Sequence, residues 1–240
     1  MRRFGIIGYP LGHSFSPPYF SEKFQSLEID DAEYKAYPIK SIDELPSIFS
    51  EDLVGLNVTI PYKKSVIPYM DQLSDAAAEI QAVNTIYNKD GKLFGHNTDY
   101  YGFRDSLKIL IKDDKINQAL ILGTGGSSKA VAYALKKMGI SYSFVSRNPD
   151  YLTYSDLSDE MIRDHKLIIN TTPLGMHPKV DGCPLINFSL LSDQHYCYDL
   201  IYNPEKTLFL KLAEQNGATV KNGYDMLILQ AEKSWQIWNQ

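Results

Sequence analysis

Short apolar runs alternate with helix-forming segments along the first hundred residues. The runs FGIIG, AEYKAYPI and GLNVTI predict buried strands, and helices are predicted from about Pro17, over 42–49 and from Pro61. This β-α-β-α-β-α order is typical of a mostly parallel sheet. The next two runs, AVNTIY and KLFGHN, flank an Asp-Gly pair at 90–91 that predicts a hairpin turn, and a helix is predicted over 98–111.

A second series of strands and helices begins at Gln118. The strand ALIL, a glycine-rich loop, the helix SKAVAYALKKM and the strand SYSFV follow in order, and the runs LIINTT and YCYDLIY predict further buried parallel strands. We therefore predict an α/β protein of two α/β domains, which divide near residue 100 and have a cleft between them.

Composition and charge narrow the class of protein. With 240 residues, 44% of them hydrophobic, the chain can bury a sizeable core. Its net charge of -5 contains no block of one sign, which argues against nucleic acid or an anionic membrane surface as a partner. Cys183 and Cys197 have no histidine nearby at zinc-ligand spacing, so neither a disulfide framework nor a metal site is indicated. We expect a cytoplasmic protein that acts on small molecules.

The stretch ILGTGGSSKA at 121–130 places three glycines between a strand and a helix. Such a turn lets backbone N–H groups and the helix N-terminus approach a pyrophosphate. Gly123, Gly125 and Gly126 fill this pattern, but Ser128 occupies the third position of the usual G-x-G-x-x-G. A tight structural turn is therefore an alternative interpretation of the loop.

The end of the following strand carries Ser146-Arg147-Asn148. An NAD-binding unit usually has an aspartate or glutamate there for the ribose hydroxyls. Arg147 can instead pair with a 2′-phosphate, which favours NADP. The alternative is a solvated arginine in an ordinary turn, with Asp150 close by and unfavourable to a phosphate.

Amides and hydroxyls interrupt two strands that are otherwise apolar. In LNVTI the period of two places Asn57 and Thr59 on the face opposite the apolar residues, and Asn84 interrupts AVNTI. These side chains either satisfy neighbouring backbone groups or bind a polyhydroxylated ligand. Together with the features that follow, they favour the ligand.

A lysine and a carboxylate are candidates for proton transfer. If Pro61 begins a helix, Lys63 lies in its first turn, where the macrodipole disfavours a positive charge and eases loss of the proton. The alternative is a lysine that points to solvent. Asp99 lies at the start of the next helix, where it either caps the helix or orients the ammonium of Lys63.

Three further polar side chains lie at positions suited to a ligand. Ser14 and Ser16 place two hydroxyls just before the first helix, where anions are favoured, although capping alone explains one of them. Gln230 follows Leu227 by three residues on the last helix and so lies on or beside the apolar stripe. A buried amide there needs hydrogen-bond partners.

Eight motifs in this order along nearly the whole chain resemble those of the shikimate dehydrogenase family. They are GYPLGHSFSP, NVTIPYK, AVNT, GHNTDYYGF, LGTGGSSKA, NTTPLGM, DLIYNP and GYDMLILQA. The resemblance implies an N-terminal, mostly parallel-sheet substrate domain (1–99 plus 224–240) and a Rossmann-type NADP-binding domain (100–223). It also implies the NADP-dependent, reversible reduction of 3-dehydroshikimate to shikimate, on the pathway to chorismate and the aromatic amino acids, by a monomer or homodimer.

The resemblance implies a role for each matching residue. Lys63 and Asp99 match the catalytic pair, with Lys63 as general acid, and Ser14 and Ser16 match the residues that hold the substrate carboxylate. The residues that read the ring hydroxyls are Asn57, Thr59, Asn84, Asp99 and Gln230. The NADP contacts are Gly123, Gly125, Gly126, Ser127, Ser146, Arg147 and Asn148. Residues near the nicotinamide are Thr171, Gly223 and Tyr202, the last of which also contacts substrate.

Two departures from the family pattern concern the cofactor site and the C-terminus. The segment 146–168 is shorter than usual and lacks a second basic residue just after Arg147, so we expect a weaker 2′-phosphate site. The chain also stops soon after Trp238, without the usual extra helix. The alternatives are a quinate/shikimate dehydrogenase that prefers NAD, and a non-catalytic NADP-sensing module, which could dispense with Lys63 and Asp99.

Overall fold

The computed structural model describes residues 1–12, 14–49, 53–111 and 115–240. These residues form two compact units. The first contains Met1–Thr98 together with Ala231–Gln240, and the second contains Asp99–Gln230. None of the described helices is both long and apolar enough to cross a membrane.

The first unit is built on a mixed six-stranded sheet. Its elements are β1 (Arg2–Gly8), α1 (Ser16–Ser26), β2 (Ala32–Pro38), α2 (Leu45–Ile48), β3 (Leu53–Val58), β4 (Gln72–Leu73), α3 (Asp75–Ile80), β5 (Thr85–Lys89) and β6 (Lys92–His96). The strand order is β2-β1-β3-β5-β6-β4. β1 pairs in parallel with β2 and β3, and β4 pairs in parallel with β6, whereas β5 is antiparallel to both of its neighbours.

Local sequence signals account for most of these elements. The hairpin between β5 and β6 is confirmed: Asp90 and Gly91 have φ of 53° and 76°, the left-handed pair that an Asp-Gly turn provides. The helix predicted from about Pro17 is confirmed as α1. The segment 42–49 forms a 3-10 turn (Ile42–Glu44) followed by α2.

The helix predicted from Pro61 is wrong. Residues 61–66 form consecutive turns, followed by a 3-10 helix at Ile67–Tyr69. Pro68 disfavours the α conformation at Ile67 and lacks an N–H of its own, so only about six residues could be helical before it. A helix that short does not repay its nucleation unless tertiary packing stabilises it.

The tryptophan near the end of the chain completes the core of the first unit. Trp238 packs against Phe4 and Phe20, with ring centroids 5.1 and 5.5 Å apart, and its indole N–H donates to the Ile86 carbonyl at 2.9 Å. A Cβ atom on Gly55 of β3 would lie 2.1 Å from the indole nitrogen. The strand therefore requires glycine at the point where the tryptophan covers it.

The second unit has a fully parallel five-stranded sheet among its described residues. Its elements are α4 (Asp99–Ile111), β7 (Gln118–Leu122), α5 (Gly126–Lys137), β8 (Ser141–Val145), α6 (Asp159–Asp164), β9 (Leu167–Asn170), β10 (Tyr196–Asp199), α7 (Leu208–Gln215), β11 (Thr219–Lys221) and α8 (Tyr224–Trp238), whose last residues belong to the first unit. The strand order is β11-β10-β9-β7-β8. The runs read as buried parallel strands are confirmed, because Ala119–Leu122 of β7 and all of β9 are inaccessible to solvent.

The position of β7 defines where a ligand can bind in this sheet. β7 leads into β8 on one side, while β9, the next strand along the chain after β8, pairs with β7 on the other side. Such a reversal of strand order opens a crevice beyond the carboxyl ends of the strands, the usual ligand site of doubly wound folds. This is the Rossmann-type arrangement, and the α/β fold class is confirmed.

Candidate active-site residues in the two units

Buried amides and hydroxyls form one hydrogen-bonded group in the first unit, which we call the polar cluster. Its members are Tyr34, Asn57, Asn84, Thr85, Thr98 and Ser234. They come from three strands, from the residue before β5, from the segment after β6 and from the last helix. Two of them, Asn57 and Asn84, were predicted as substrate-binding residues.

Asn57 lies at the centre of the polar cluster. Its Oδ1 accepts the hydroxyl of Tyr34 at 2.7 Å, and its Nδ2 donates to Ser234 Oγ at 3.0 Å and to Thr85 Oγ1 at 3.3 Å. Both amide hydrogens are thus engaged within the unit, and one lone pair of Oδ1 is left for any further partner. Burial raises the pKa of Tyr34 well above its usual value, which a hydrogen bond with Ser16 opposes.

Asn84 fixes the segment that follows β6. Its Oδ1 accepts the backbone N–H of Thr98 at 2.6 Å, and its Nδ2 donates to Thr98 Oγ1 at 2.9 Å. The Asn84 backbone bonds in both directions, donating to the His96 carbonyl and accepting from Val58 N–H. The side chain therefore holds in place the residue that precedes Asp99 in the chain.

The remaining predicted residues of the first unit lie in irregular segments. Ser14 is half-buried just before α1, and Ser16 is buried as its first residue. Thr59 is half-buried after β3, and its backbone donates to the Ile7 carbonyl at 3.0 Å. Lys63 is half-buried in the turns at 61–66, where its carbonyl accepts from Val83 N–H at 2.8 Å. Because no helix begins there, the predicted effect of a helix dipole on Lys63 is wrong.

A groove in the first unit is lined by none of the predicted residues. Its volume is about 830 Å³, and its lining includes Leu45, Phe49, Leu53, Tyr69 and Asn88. The Nδ2 of Asn88 donates to the Leu53 carbonyl at 2.8 Å, while its buried Oδ1 has no hydrogen-bond partner among the described residues. This amide contrasts with that of Asn57, which makes several bonds.

The glycine turn of the second unit has the features of a phosphate site. Gly123 has φ of 107°, and a Cβ there would lie 2.8 Å from Thr171 Oγ1. Gly125 is the N-cap of α5 and provides no side-chain hydrogen bond, and the first turn of the helix has no acidic residue. A Cβ on Gly125 or Gly126 would meet nothing within 4 Å. The turn therefore leaves the N-terminus of a 12-residue helix open to an anion.

The residues after β8 lie beside this turn. Ser146 Oγ is 3.3 Å from Thr124 Oγ1 and accepts the Asn148 N–H at 3.1 Å. Arg147 is exposed, and the Asp150 carboxylate accepts the side-chain amide of Asn148 at 3.3 Å. An exposed guanidinium near an uncapped helix end fits a cofactor that carries a 2′-phosphate as well as a pyrophosphate.

Three predicted residues follow the next strands of the sheet. The hydroxyl of Thr171 donates to the Leu122 carbonyl at 2.8 Å, which fixes it beside the glycine turn. Tyr202 is exposed in the segment after β10. Gly223 is buried, and a Cβ there would lie 2.0 Å from the Leu200 carbonyl oxygen, so this position excludes every larger residue.

The last two predicted residues are on helices of the second unit. Asp99 is the first residue of α4 and is buried. Gln230 is half-buried on α8, and its Nε2 donates to the Leu227 carbonyl at 2.9 Å. Lys63 belongs to the first unit and Asp99 to the second, so the pairing of the two remains a prediction.

Sequence reasoning did not identify four members of the polar cluster. Thr98 stands in the GHNTDYYGF motif and Ser234 follows Gln230 by one helical turn, so both had a local signal. Thr85 directly follows Asn84. Tyr34 had none, because the contact with Asn57 joins residues that are 23 apart in the chain.

Comparison with known proteins agrees with these features. Residues 6–86 match the family model described as the shikimate dehydrogenase substrate binding domain. The chain is 41% identical to the NADP(+) shikimate dehydrogenase of Clostridium beijerinckii, over 100% of this chain and 93% of that protein. The chain belongs to the shikimate dehydrogenase family. It is also 36% identical to the NADP(+) shikimate dehydrogenase of Desulforamulus reducens, over 98% of this chain and 88% of that one.

Solved structures of shikimate dehydrogenases resemble the whole chain. The Thermus thermophilus enzyme in complex with NADP(H) and shikimate is 30% identical, with a TM-score of 0.87 over 99% of this chain and 93% of that one. The Aquifex aeolicus enzyme is 34% identical, with a TM-score of 0.87 over 100% and 92%. A quinate dehydrogenase from Corynebacterium glutamicum has a TM-score of 0.89 at 24% identity, which indicates a shared fold alone.

Proposed function

We propose that the protein catalyses the NADP-dependent, reversible reduction of 3-dehydroshikimate to shikimate. The observation that carries this proposal is the glycine turn before α5, which leaves the helix N-terminus uncapped beside Ser146 and Arg147. The chain also matches NADP(+) shikimate dehydrogenases over its full length. An acidic residue at the end of β8 would instead have favoured NAD. The alternative is a quinate/shikimate dehydrogenase that prefers NAD, and steady-state kinetics distinguish the two.

Residues 100–223 bind the cofactor in this proposal. The backbone of Gly123, Gly125, Gly126 and Ser127 holds the pyrophosphate at the N-terminus of α5. The side chains of Ser146, Arg147 and Asn148 hold the 2′-phosphate and its ribose. Thr171, Tyr202 and Gly223 border the nicotinamide half. When bound, NADPH supplies the hydride that the ketone carbon of the substrate accepts.

Residues 1–99 and 224–240 bind the substrate. Ser14 and Ser16 hold the carboxylate, and the residues that read the ring hydroxyls are Asn57, Thr59, Asn84, Asp99 and Gln230. Because both amide hydrogens of Asn57 are engaged in the polar cluster, its contribution to substrate is limited to an acceptor position on Oδ1. Selectivity arises because an analogue that lacks a hydroxyl leaves a buried polar group unpaired.

Lys63 is the general acid and base of the reaction. In the direction of reduction its ammonium donates a proton to the ketone oxygen while the carbon accepts the hydride, so that the product is the alcohol. In the reverse direction the neutral amine takes the proton from the hydroxyl. Asp99 orients the ammonium. The backbone of the turn at 61–66 supports this role, since the Lys63 carbonyl accepts a hydrogen bond from the Val83 N–H.

Steady-state kinetics with shikimate and quinate, each with NADP+ and NAD+, test the proposal. We expect the highest kcat/KM for shikimate with NADP+. Higher kcat/KM for quinate with NAD+ would favour the alternative dehydrogenase. NADP+ binding without turnover of either substrate would favour a sensing module. We also propose a cytoplasmic monomer or homodimer, which native mass spectrometry and cell fractionation would test.

A further inference from the structure

A buried carboxylate, that of Asp199, connects the carboxyl ends of the neighbouring strands β9 and β10. Asp199, the last residue of β10, is 0% exposed. Its Oδ1 accepts hydrogen bonds from Asn170 Nδ2 at 3.1 Å and from the Ile201 N–H at 3.0 Å. Its Oδ2 accepts the hydroxyl of Thr207 at 2.6 Å. All three donors are uncharged.

The amide of Asn170 can face Asp199 in only one orientation. Its Oδ1 accepts both the N–H of Thr172 at 3.0 Å and the hydroxyl of Thr172 at 2.7 Å. Its Nδ2 therefore points to Asp199, and this position requires an acceptor. Burial raises the pKa of Asp199 to about 6, while its three hydrogen bonds act in the opposite direction. All three hydrogen bonds are donated to the carboxyl oxygens, an arrangement that favours the ionised form.

The partners of Asp199 stand in, or at the base of, two loops: 171–178 after β9 and 200–207 after β10. The loops also bond directly to each other, since the His177 N–H donates to the Asn203 carbonyl at 3.1 Å. Both loops leave the carboxyl ends of parallel strands, where ligands bind in this class of sheet. Asp199 therefore joins two loops at the edge of the sheet that faces the ligand crevice.

We propose that Asp199 is a positioning residue for the nicotinamide half of the cofactor. By joining the two loops, it fixes Thr171 and Tyr202, one in each loop. This inference rests on the proposed function, which assigns those two residues to that half. The adenosine half, assigned to the glycine turn and Arg147, does not depend on Asp199.

Substitutions of Thr207 test this link between the loops and leave the Asp199 side chain itself unchanged. Thr207→Val keeps the shape of the side chain but removes the donor, whereas Thr207→Ser keeps the hydroxyl. Thr207 also caps α7, through its contact with the Leu210 N–H. The matched control is Ser158→Ala, which removes the equivalent cap of α6 in the same unit and has no part in the Asp199 network.

We expect Thr207→Val to raise the KM for NADP+ by about tenfold, the loss of one hydrogen bond to a charged group. Thr207→Ser and Ser158→Ala should keep the parent KM for NADP+. Asp199→Asn, which removes the charge but retains the shape, should shift the same constant in the same direction. This second variant keeps the inference testable if Thr207→Val does not fold.

Equilibrium binding separates positioning from general damage to the unit. Isothermal titration of NADP+ should show weaker binding to Thr207→Val, whereas 2′-phospho-ADP-ribose, which lacks the nicotinamide, should bind as it does to the parent protein. Equal losses for both ligands, or no loss for either, would overturn the inference. Failure of the proposed function has a different result, because the parent protein itself would then not oxidise shikimate with NADP+.

Discussion

The two units present their candidate ligand-binding groups in opposite ways. In the first unit, Asn57 and Asn84 are buried and hydrogen-bonded to other side chains of the polar cluster. In the second unit, Gly125, Gly126 and Arg147 are exposed, and the glycines offer backbone rather than side chains. In the proposed function, substrate recognition is therefore tied to folding, whereas cofactor preference can change at the surface with little effect on stability.

The largest effect on activity is expected at Lys63, which is half-buried. Lys63→Ala should lower kcat by about 10²–10⁴-fold, the usual contribution of a general acid, with the KM for shikimate changed much less. The thermal midpoint should stay near that of the parent protein, because the turn is held by backbone bonds. Lys64→Ala is the matched control, since Lys64 is its exposed neighbour. Unchanged turnover in Lys63→Ala would remove this residue from the mechanism.

The carboxylate of the second unit predicts a pH dependence that the neutral polar cluster lacks. The pKa of Asp199 is raised from 3.8 to about 6, so the native state binds its proton more tightly than the unfolded chain. The stabilisation is full below about pH 4 and is lost as the pH rises through about 6, a change of about 3 kcal/mol. The free energy of unfolding of the parent protein, relative to that of Asp199→Asn, should fall by this amount. Urea unfolding at several pH values measures it, and a difference independent of pH would contradict it.

Removing the central amide of the polar cluster should destabilise the first unit. Asn57→Leu leaves the hydroxyl of Tyr34 without its acceptor and should lower the free energy of unfolding by about 1–3 kcal/mol. The control, Asn88→Leu, removes one bond to the Leu53 carbonyl together with an unpartnered oxygen, and should cost less. If urea unfolding shows that both variants lose the same free energy of unfolding, the polar cluster contributes no more to stability than the single bond of Asn88.

The smallest effect is expected at Arg147, where the KM values for NADP+ and NAD+ should respond differently. Arg147→Ala should raise the KM for NADP+ by about tenfold or more, through loss of a charge-assisted pair with the 2′-phosphate, and leave the KM for NAD+ unchanged. Stability should not change. Arg163→Ala, at an exposed position on α6, is the control. A similar loss with both cofactors would show that Arg147 does not recognise the phosphate.

Local chemistry explains what the sequence could predict. The Asp-Gly turn and the glycine turn each depend on backbone conformations that few residues adopt, and the order of strands and helices follows from hydrophobic periodicity. Pro68 already excludes a long helix after Pro61, but the turn that forms at 61–66 instead was not predictable in the same way. Its hydrogen bonds link it to distant segments, such as the one between Lys63 and Val83, so tertiary contacts decide its conformation.

Long-range contacts also explain why the candidate site was only partly visible. Asn57 bonds to Ser234, which is 177 residues away in the chain, and no local pattern connects them. Asp199 appeared in the sequence only as part of the DLIYNP motif. The pairing of β9 with β10 places it opposite Asn170. Motifs identified the residues, and the pairing of strands gave their partners.

The tryptophan that covers Gly55 has a consequence for biosynthesis. The first 98 residues leave the ribosome early, but the ring that completes their aromatic core emerges only after the whole of the second unit. Until then, the surface around Phe4 and Phe20 is without that cover. Nascent chains halted before Trp238 should therefore hold the N-terminal sheet in a protease-sensitive form, while the second unit is already able to mature.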